Sequence, residues 1–155
     1  MTFVDFVMAY DRVPCTVLFR KLKRLGCGAV ILAAPISMYT VTHSVIGTAV
    51  VTAAIGVRQG SPTSCLLFTI FVNDLITMIK GGCGIDGFLR WLHIIVLMDD
   101  TVLLSTTRQG MEQKLRLLNQ YCMDNGMLIN NIKTKFLALN CSPEEPAPFC
   151  MARWL

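Results

Sequence analysis

Charged residues are scarce in this sequence, because Asp, Glu, Lys and Arg make up 15% of its 155 residues while 54% are hydrophobic. So few charges leave little surface for solvation, although the length is sufficient for one domain with a hydrophobic core. Two kinds of protein fit this balance. One is a piece of a larger protein whose neighbouring parts cover its apolar faces, and the other is a membrane protein.

An uninterrupted apolar stretch of membrane-spanning length is also missing. A spanning helix needs about 20 mostly apolar residues. The best candidate covers residues 28–57, but Pro35, His43 and several Ser and Thr residues interrupt it, which is typical of a helix followed by a hairpin. No basic and apolar signal sequence stands at the start. These features favour an intracellular protein, nuclear or cytoplasmic, with no signal peptide, no transmembrane helix and no membrane partner.

Metal-binding and disulfide patterns are absent as well. Seven cysteines are scattered along the chain without a CxxC pair, and His43 and His93 are its two histidines. This distribution argues against a zinc site and against a disulfide framework. It predicts reduced, mostly buried thiols in an intracellular protein.

Basic residues outnumber acidic residues, 14 against 10, and four of them cluster at Arg20, Lys21, Lys23 and Arg24. A cluster of this kind hints at a polyanionic partner, but taken alone it fits a solvated helix face better.

Hydrophobic periodicity and turn residues predict an α+β fold with helices packed on one face of a mainly antiparallel sheet. Residues 62–80 form an apolar helix that is predicted to be buried all round, and residues 91–98 a strand covered on both faces. The other predicted elements are a strand at 2–6, helices at 15–25, 28–40 and 109–125, a hairpin at 41–55, a short strand at 85–88, the return strand at 101–105, and a last strand pair at 128–130 and 136–139. Residues 141–155, with three prolines, are predicted to form a loose tail.

Three carboxylates stand in or beside apolar strands. Asp5 lies within the first strand, and Asp99 and Asp100 directly follow the most apolar one. Buried unpaired carboxylates are costly and adjacent ones repel each other, so a divalent cation such as Mg²⁺ or Mn²⁺ is a natural partner. If the two strands are neighbours, two metal ions can support phosphoryl transfer there. The alternative for Asp99 and Asp100 is an exposed turn that needs no metal.

Four segments carry a further pattern in a fixed order. They are FVDFVMAYDRV at residues 3–13, GVRQGSP at 56–62 with its apolar helix ending in Asn73-Asp74-Leu75, Met98-Asp99-Asp100, and residues 126–130 followed by Lys133-Thr134-Lys135. Together they resemble the catalytic motifs of reverse transcriptases from non-LTR (LINE-type) retrotransposons. The similarity covers roughly residues 2–140. Each motif alone is weak, whereas the ordered set is specific.

The resemblance implies a polymerase palm at residues 1–140 that acts as an RNA-directed DNA polymerase by two-metal nucleotidyl transfer. It implies that Asp5 and Asp99 are direct ligands of Mg²⁺ or Mn²⁺ and that Asp100 lies close to the metal or the primer end. The backbone carbonyl of Phe6 would add an oxygen ligand. Lys133 is the candidate for a charge near the pyrophosphate and for a general acid, with Lys135 as the alternative.

The same resemblance assigns nucleotide contacts. Tyr10 would exclude a ribose 2′-hydroxyl, and core packing is the alternative for its ring. Gln59 and Gly60 would lie near the nascent base pair, where glycine allows the backbone a close approach. Arg58 would contact the template or the nucleotide, or would be a surface charge.

The implied partners are an RNA or DNA template with its primer, deoxynucleoside triphosphates, and the fingers and thumb of a longer polyprotein, which lie outside this sequence. Most phosphate contacts of a polymerase come from those missing parts. The isolated palm is therefore expected to have weak polymerase activity or none. The alternative is a catalytically inactive remnant that is at most a weak nucleic-acid-binding module.

Overall fold

The computed structural model describes residues 1–40, 42–53, 55–58, 60–80 and 92–139. Within these residues the chain forms β1 Thr2–Val4, α1 Cys15–Arg24, α2 Ala29–Tyr39, β2 Thr42–Ile46, β3 Ala49–Ala53, α3 Pro62–Ile79, β4 Ile94–Leu97, β5 Asp100–Leu103, α4 Arg108–Asn125 and β6 Lys135–Phe136. The predicted strand at 85–88 and the predicted tail at 141–155 lie outside the described residues. The predicted α+β class is confirmed.

The chain divides into two compact units. The sheet unit consists of Met1–Val7 and Asn73–Leu155, and the helical unit consists of Met8–Val72.

The sheet unit contains a four-stranded antiparallel sheet in the order β4-β5-β1-β6. Its buried face includes Val4 and Leu103, and α4 packs there, since the Thr2 hydroxyl donates to the sulfur of Met111 at 3.2 Å. The Thr107 side chain caps the start of α4 by accepting from the Gly110 N–H, and Gly126 ends the helix at φ 69°. The sheet with a helix on one face is therefore as predicted.

The opposite face of this sheet is apolar and open to solvent. Phe3 is 43% exposed and Ile95 is 46% exposed. The prediction that residues 91–98 form a strand covered on both faces is wrong for the described part, because Ile95 and Leu97 are exposed on one face of β4. The predicted pairing of residues 128–130 with 136–139 is also wrong. β6 pairs with β1 instead, and Ile129 bridges to Phe6.

A buried lysine and histidine connect α4 to the sheet. The Lys114 ammonium donates to the Leu104 carbonyl and to Nδ1 of His93, the latter at 3.2 Å. Because an ammonium has no acceptor, His93 must accept through Nδ1, so its ring is neutral with the proton on Nε2. Burial lowers the pKa of His93, and the positive charges of Lys114 and Lys80 lower it further.

This cluster predicts that the protein loses stability in mild acid. As the pH falls below 6.5, the ordinary pKa of histidine, the unfolded chain binds a proton that folded His93 resists, so the free energy of unfolding decreases. His93→Asn keeps an acceptor and removes the titration. Urea unfolding at ~pH 7.5 and ~pH 5.5 should show a larger loss for the wild type than for this variant, whereas equal losses would contradict the prediction.

The helical unit contains α1, α2, the β2–β3 hairpin and the first part of α3. The hairpin at the predicted position is confirmed, with Gly47 at φ 62° in its turn. The prediction that residues 62–80 are buried all round is wrong. Phe68 and Phe71 are fully buried, but Leu66 is 62% exposed, because α3 packs through one side only.

One helix of the described residues, α3, is long and apolar enough to cross a membrane by length and composition. One such helix is weak evidence of a span, because the core helix of a soluble protein meets the same criterion. Fully buried Phe68, Phe71 and Leu75 are what a core helix requires.

Four cysteines lie in the described residues, and all four are free thiols. Cys15 and Cys122 are buried, whereas Cys27 and Cys65 are partly exposed. Burial raises the pKa of Cys15, and it raises the pKa of Cys122 to about 12, so both thiols stay protonated and unreactive. The prediction of buried thiols holds for Cys15 and Cys122 but not for Cys27 and Cys65, and the reduced state stays a prediction.

Candidate active site

Strand pairing brings two of the three carboxylates to neighbouring positions. In the antiparallel register of β1 and β5, Val4 lies opposite Thr101. Continuing this register by one residue beyond the observed pairing would align Asp5 with Asp100. Residues directly opposite each other project to the same face, and here the alternation assigns them to the open face of the sheet. Asp5 and Asp100 thus belong to one end of one sheet face.

The third carboxylate lies in the turn of the adjacent hairpin. Leu97 pairs with Asp100, so Met98 and Asp99 form a two-residue turn between β4 and β5. Met98 has φ 55°. Positive φ at the first central residue is the pattern of a type II′ turn, where glycine is usual, so methionine holds the turn under local strain. The predicted hairpin with two carboxylates at its tip is confirmed.

These carboxylates are more open to water than the sequence suggested. Asp5 is half-buried, and Asp99 and Asp100 are exposed. Burial therefore does not by itself require a compensating cation, and the Mg²⁺ or Mn²⁺ at these carboxylates stays a prediction. Within the described residues no three His, Cys, Asp or Glu side chains are grouped so as to hold a metal ion. The oxygen donors themselves are of the kind that Mg²⁺ and Mn²⁺ prefer.

The main chain of Asp5 is held from both sides by the segment that contains Lys133. The Asp5 N–H donates to Oγ1 of Thr134 at 3.3 Å, and the Asp5 carbonyl accepts from the Asn130 N–H at 2.8 Å. Thr134 is buried. This Asn130–Thr134 clamp fixes the backbone from which the Asp5 carboxylate projects.

The Phe6 carbonyl is left out of the pairing beside it. Phe6 forms an antiparallel bridge with Ile129, whose hydrogen bonds run between flanking residues, from Val7 N–H to the Leu128 carbonyl and from Asn130 N–H to the Asp5 carbonyl. In a pair of this type the central residue does not use its own carbonyl. The Phe6 oxygen is thus available for another partner, as its predicted role requires.

Lys133 lies on a turn organised by a single side chain. Oδ1 of Asn130 accepts from the N–H groups of Ile132 and Lys133, both at 3.2 Å. Lys133 is exposed, whereas the Lys135 ammonium donates to the Ile132 carbonyl at 2.9 Å. This contact favours Lys133 over Lys135 as the lysine that reaches a substrate, and its chemical role stays a prediction.

The clamp predicts a measurable loss of stability when its hydroxyl is removed. Thr134→Val keeps the shape of the side chain and leaves the Asp5 N–H without its acceptor, at an expected cost of about 1–3 kcal/mol. Thr134→Ser keeps the hydroxyl and should lose less. Denaturant unfolding of the two variants checks this. If the valine variant is as stable as the serine variant, the Thr134 hydroxyl does not stabilise the Asp5 backbone.

The residues with predicted nucleotide roles lie in the helical unit. The Tyr10 ring packs 4.9 Å from the ring of Phe68, and its hydroxyl donates to Sγ of Cys65 at 3.9 Å. Tyr10 is half-buried, so one side of its ring packs in the core, as the alternative prediction for this residue proposed. Arg58 is exposed, and its carbonyl accepts from the Ser64 hydroxyl. Their roles stay predictions.

Glycines in the second motif differ in what surrounds them. Gly60 has φ 82°, but no atom lies within 4 Å of the position that a Cβ would take, so the conformation alone favours glycine there. A close approach to the protein's own backbone occurs at Gly56, where a Cβ would lie 2.9 Å from the Cα of Asp11, whereas the approach of Gly60 to a nucleotide stays a prediction. The Val57 N–H donates to the Tyr10 carbonyl at 2.8 Å, so this contact joins the first two motifs. Gln59 lies outside the described residues.

Sequence reasoning assigned no role to Gly56, Asn130 and Thr134. Asn130 stands two residues before Ile132 and three before Lys133, which is the spacing of an Asx turn and was the one readable signal. The contacts of Gly56 and Thr134 join residues far apart in the chain.

The fold and site define an antiparallel sheet with carboxylates beside a hairpin turn at one end. Residues 1–147 match the family model described as "Reverse transcriptase (RNA-dependent DNA polymerase)". Since this match spans nearly the whole sequence, the chain belongs to the reverse transcriptase family.

The chain is also similar to a retrotransposon protein and, in its fold, to a solved structure. The chain is 31% identical over 90 residues to the retrovirus-related Pol polyprotein from type-1 retrotransposable element R2 of Nasonia vitripennis, a match that covers 58% of this chain and 9% of the polyprotein. This similarity confirms the predicted relationship to non-LTR elements. The structure is also similar to telomerase from Candida albicans, solved with a fragment of telomeric RNA, with a TM-score of 0.63, 18% identity, and coverage of 91% of this chain and 27% of that one. At this identity the likeness shows the fold alone.

Proposed function

We propose that this chain is the palm of an RNA-directed DNA polymerase, at residues 1–140, and that residues 141–155 are a tail outside the palm. The observation that supports the proposal is the pairing of β1 with β5 up to Val4 and Thr101, which leaves Asp5 and Asp100 at the same end of the sheet beside the Asp99 turn, in a member of the reverse transcriptase family. Its partners are an RNA or DNA template with a primer, deoxynucleoside triphosphates, and the fingers and thumb of a longer polyprotein. Its place is inside the cell, in the nucleus or cytoplasm.

Asp5, Asp99 and Asp100, together with the Phe6 carbonyl, would hold Mg²⁺ or Mn²⁺. When bound, the metal supplies activation of the primer 3′-hydroxyl and neutralisation of charge on the leaving pyrophosphate. Hard oxygen donors on adjacent strands fit this use.

The remaining steps fall to the protein's own groups. The Asn130–Thr134 clamp keeps the Asp5 backbone in place while its carboxylate binds. Lys133 donates a proton to the pyrophosphate oxygen as the bond to the α-phosphorus breaks. In the helical unit, the outer side of the Tyr10 ring packs under the sugar and excludes a 2′-hydroxyl, which favours deoxynucleotides. Arg58, Gln59 and Gly60 contact the template or the incoming nucleotide.

Templated incorporation on a primed RNA homopolymer tests the proposal. The wild type is compared with Asp99→Asn, in Mg²⁺ and in Mn²⁺, and Asp124→Asn on the exposed side of α4 is the matched control. The proposal predicts a signal from the wild type and the control that is lost in Asp99→Asn. The assay is run with sensitive detection, because an isolated palm is expected to have weak activity.

A second candidate is a catalytically inactive palm that binds nucleic acid weakly. The observation that favours it is the open arrangement of the carboxylates, with no three-ligand group among the described residues. An equal signal from the wild type and Asp99→Asn rejects catalysis that depends on Asp99 and supports this candidate.

A further inference from the structure

Charge is divided unevenly between the two units. Met8–Val72 contains six Lys and Arg residues and one acidic residue, Asp11, which gives a formal charge of +5. The remainder of the chain contains eight basic and nine acidic residues, which gives −1 and agrees with the total of +4. No acidic residue occurs from position 12 to position 73. The helical unit is therefore a cationic body.

Helix α1 displays most of this charge on one side. Cys15, Leu18 and Leu22 are buried and form its inner side. Arg20, Lys23 and Arg24 are exposed, and their spacing of three and four residues puts them on one helix face. We name these three residues the α1 basic stripe. In the described residues no acidic side chain forms an ion pair with them.

The fourth basic residue of this helix points inward. The Lys21 ammonium donates to the Phe71 carbonyl at 2.6 Å and lies 4.6 Å from the centre of the Phe71 ring, and Lys21 is 7% exposed. On sequence alone, Lys21 was grouped with Arg20, Lys23 and Arg24. Because its side chain is buried, Lys21 does not belong to their exposed cluster. This buried contact connects α1 to α3, so the helix that carries the α1 basic stripe is held in place by packing within its own unit.

Helix capping explains only part of the pattern. Cations near a helix C-terminus stabilise the helix through its dipole, which accounts for Lys23 and Arg24 in the last turn. It does not account for Arg20, one turn earlier, or for 62 residues without an acidic side chain. A surface selected only for solvation would mix both signs.

We propose that the α1 basic stripe binds the phosphate backbone of nucleic acid, without reading base sequence and without using the catalytic carboxylates. The choice of nucleic acid over another polyanion rests on the proposed function. An anionic membrane surface is the competing partner. It fits less well, because an interfacial helix needs a free apolar side and the apolar side of α1 is buried in its own unit.

The test is the salt dependence of binding to a fluorescent double-stranded DNA of random sequence, with EDTA present. Each lost phosphate contact lowers the slope of log K against log salt by about 0.9 on B-form DNA. Arg20→Gln/Lys23→Gln/Arg24→Gln should therefore lower the slope by about 2–3 and weaken binding at low salt at least ~10-fold. The charge-preserving variant Arg20→Lys/Lys23→Arg/Arg24→Lys should retain the wild-type slope.

The matched control is Lys80→Gln/Arg108→Gln/Arg116→Gln, which removes the same net charge from exposed positions of the sheet unit. The proposal predicts the wild-type slope for this control. Equal reductions in both triple variants, or no reduction in either, would overturn it. So would binding of the wild type to phosphatidylserine vesicles that is lost in the stripe variant while DNA binding is kept. Because EDTA removes metal, failure of Asp99-dependent incorporation leaves this result unaffected, and the two proposals fail separately.

Discussion

Replacing Asp5 by Asn is expected to reduce template-directed nucleotide incorporation about a thousandfold, which corresponds to roughly 4 kcal/mol of transition-state stabilisation. The substitution keeps the size of the side chain and removes its negative charge. The pairing of β1 with β5 leaves this residue at the same end of the sheet as Asp100, and the clamp from Asn130 and Thr134 holds only its backbone, which the substitution leaves in place. The fold should persist while the cation loses a charged ligand.

The control for this prediction is Asp11→Asn, in an exposed acidic residue of the loop that follows β1. It makes the same chemical change six positions later and should leave incorporation near the wild-type level. Incorporation is measured as labelled deoxynucleotide per primer at saturating Mn²⁺. Comparable activity of the Asp5 variant and the wild type would show that Asp5 is not a ligand.

Replacing Gly56 by Ala is expected to destabilise the protein by about 2–4 kcal/mol. A Cβ there would lie 2.9 Å from both the Cα and the carbonyl oxygen of Asp11, which are backbone atoms that cannot turn aside. The residue also has φ 94°, a conformation that disfavours a side chain. Its N–H donates to the Val13 carbonyl at 2.9 Å, so relief of the clash breaks this contact.

Gly60→Ala separates the two causes. Gly60 has a similarly positive φ of 82° but open space around it, so its variant should lose only the conformational part, about 1–2 kcal/mol. Denaturant midpoints of the two variants, measured side by side, check the difference. Equal losses would mean that the contact between Gly56 and Asp11 contributes nothing.

Local signals in the sequence were sufficient for most elements. Thr107 and Gly126 bracket α4 as a cap and a left-handed end, and Gly47 marks the turn of the β2–β3 hairpin. The hairpin that carries Asp99 and Asp100 was predicted because an apolar run ends at two carboxylates and resumes after them. Each of these patterns depends on neighbours within a few residues, which a single sequence displays.

Burial was predicted less well, because it depends on which side of an element finds a partner. Leu66 and Leu97 are apolar yet mostly exposed, since α3 packs through one side and β4 lies at the edge of its sheet. Lys21 is the opposite case. It is a charged residue that is buried, and its ammonium donates a hydrogen bond to the Phe71 carbonyl. Composition cannot show either outcome.

The contacts that hold the backbone of the candidate site could not be predicted for a different reason. Thr134 reaches the Asp5 N–H across 129 positions of sequence, and Gly56 meets Asp11 across 45. Nothing in the neighbourhood of either residue indicates its partner. The family motifs marked the segments as important, while the individual contacts required coordinates.

The central claim is that Asp5, Asp99 and Asp100 act together on one divalent cation. Mn²⁺ binding followed by electron paramagnetic resonance of the free ion measures this directly, without template, primer or the rest of a polymerase. The account predicts a site in the wild type whose affinity falls at least ~10-fold in Asp5→Asn and in Asp99→Asn, and is kept in Asp11→Asn. Identical Mn²⁺ isotherms for the wild type and the Asp5 and Asp99 variants would contradict it.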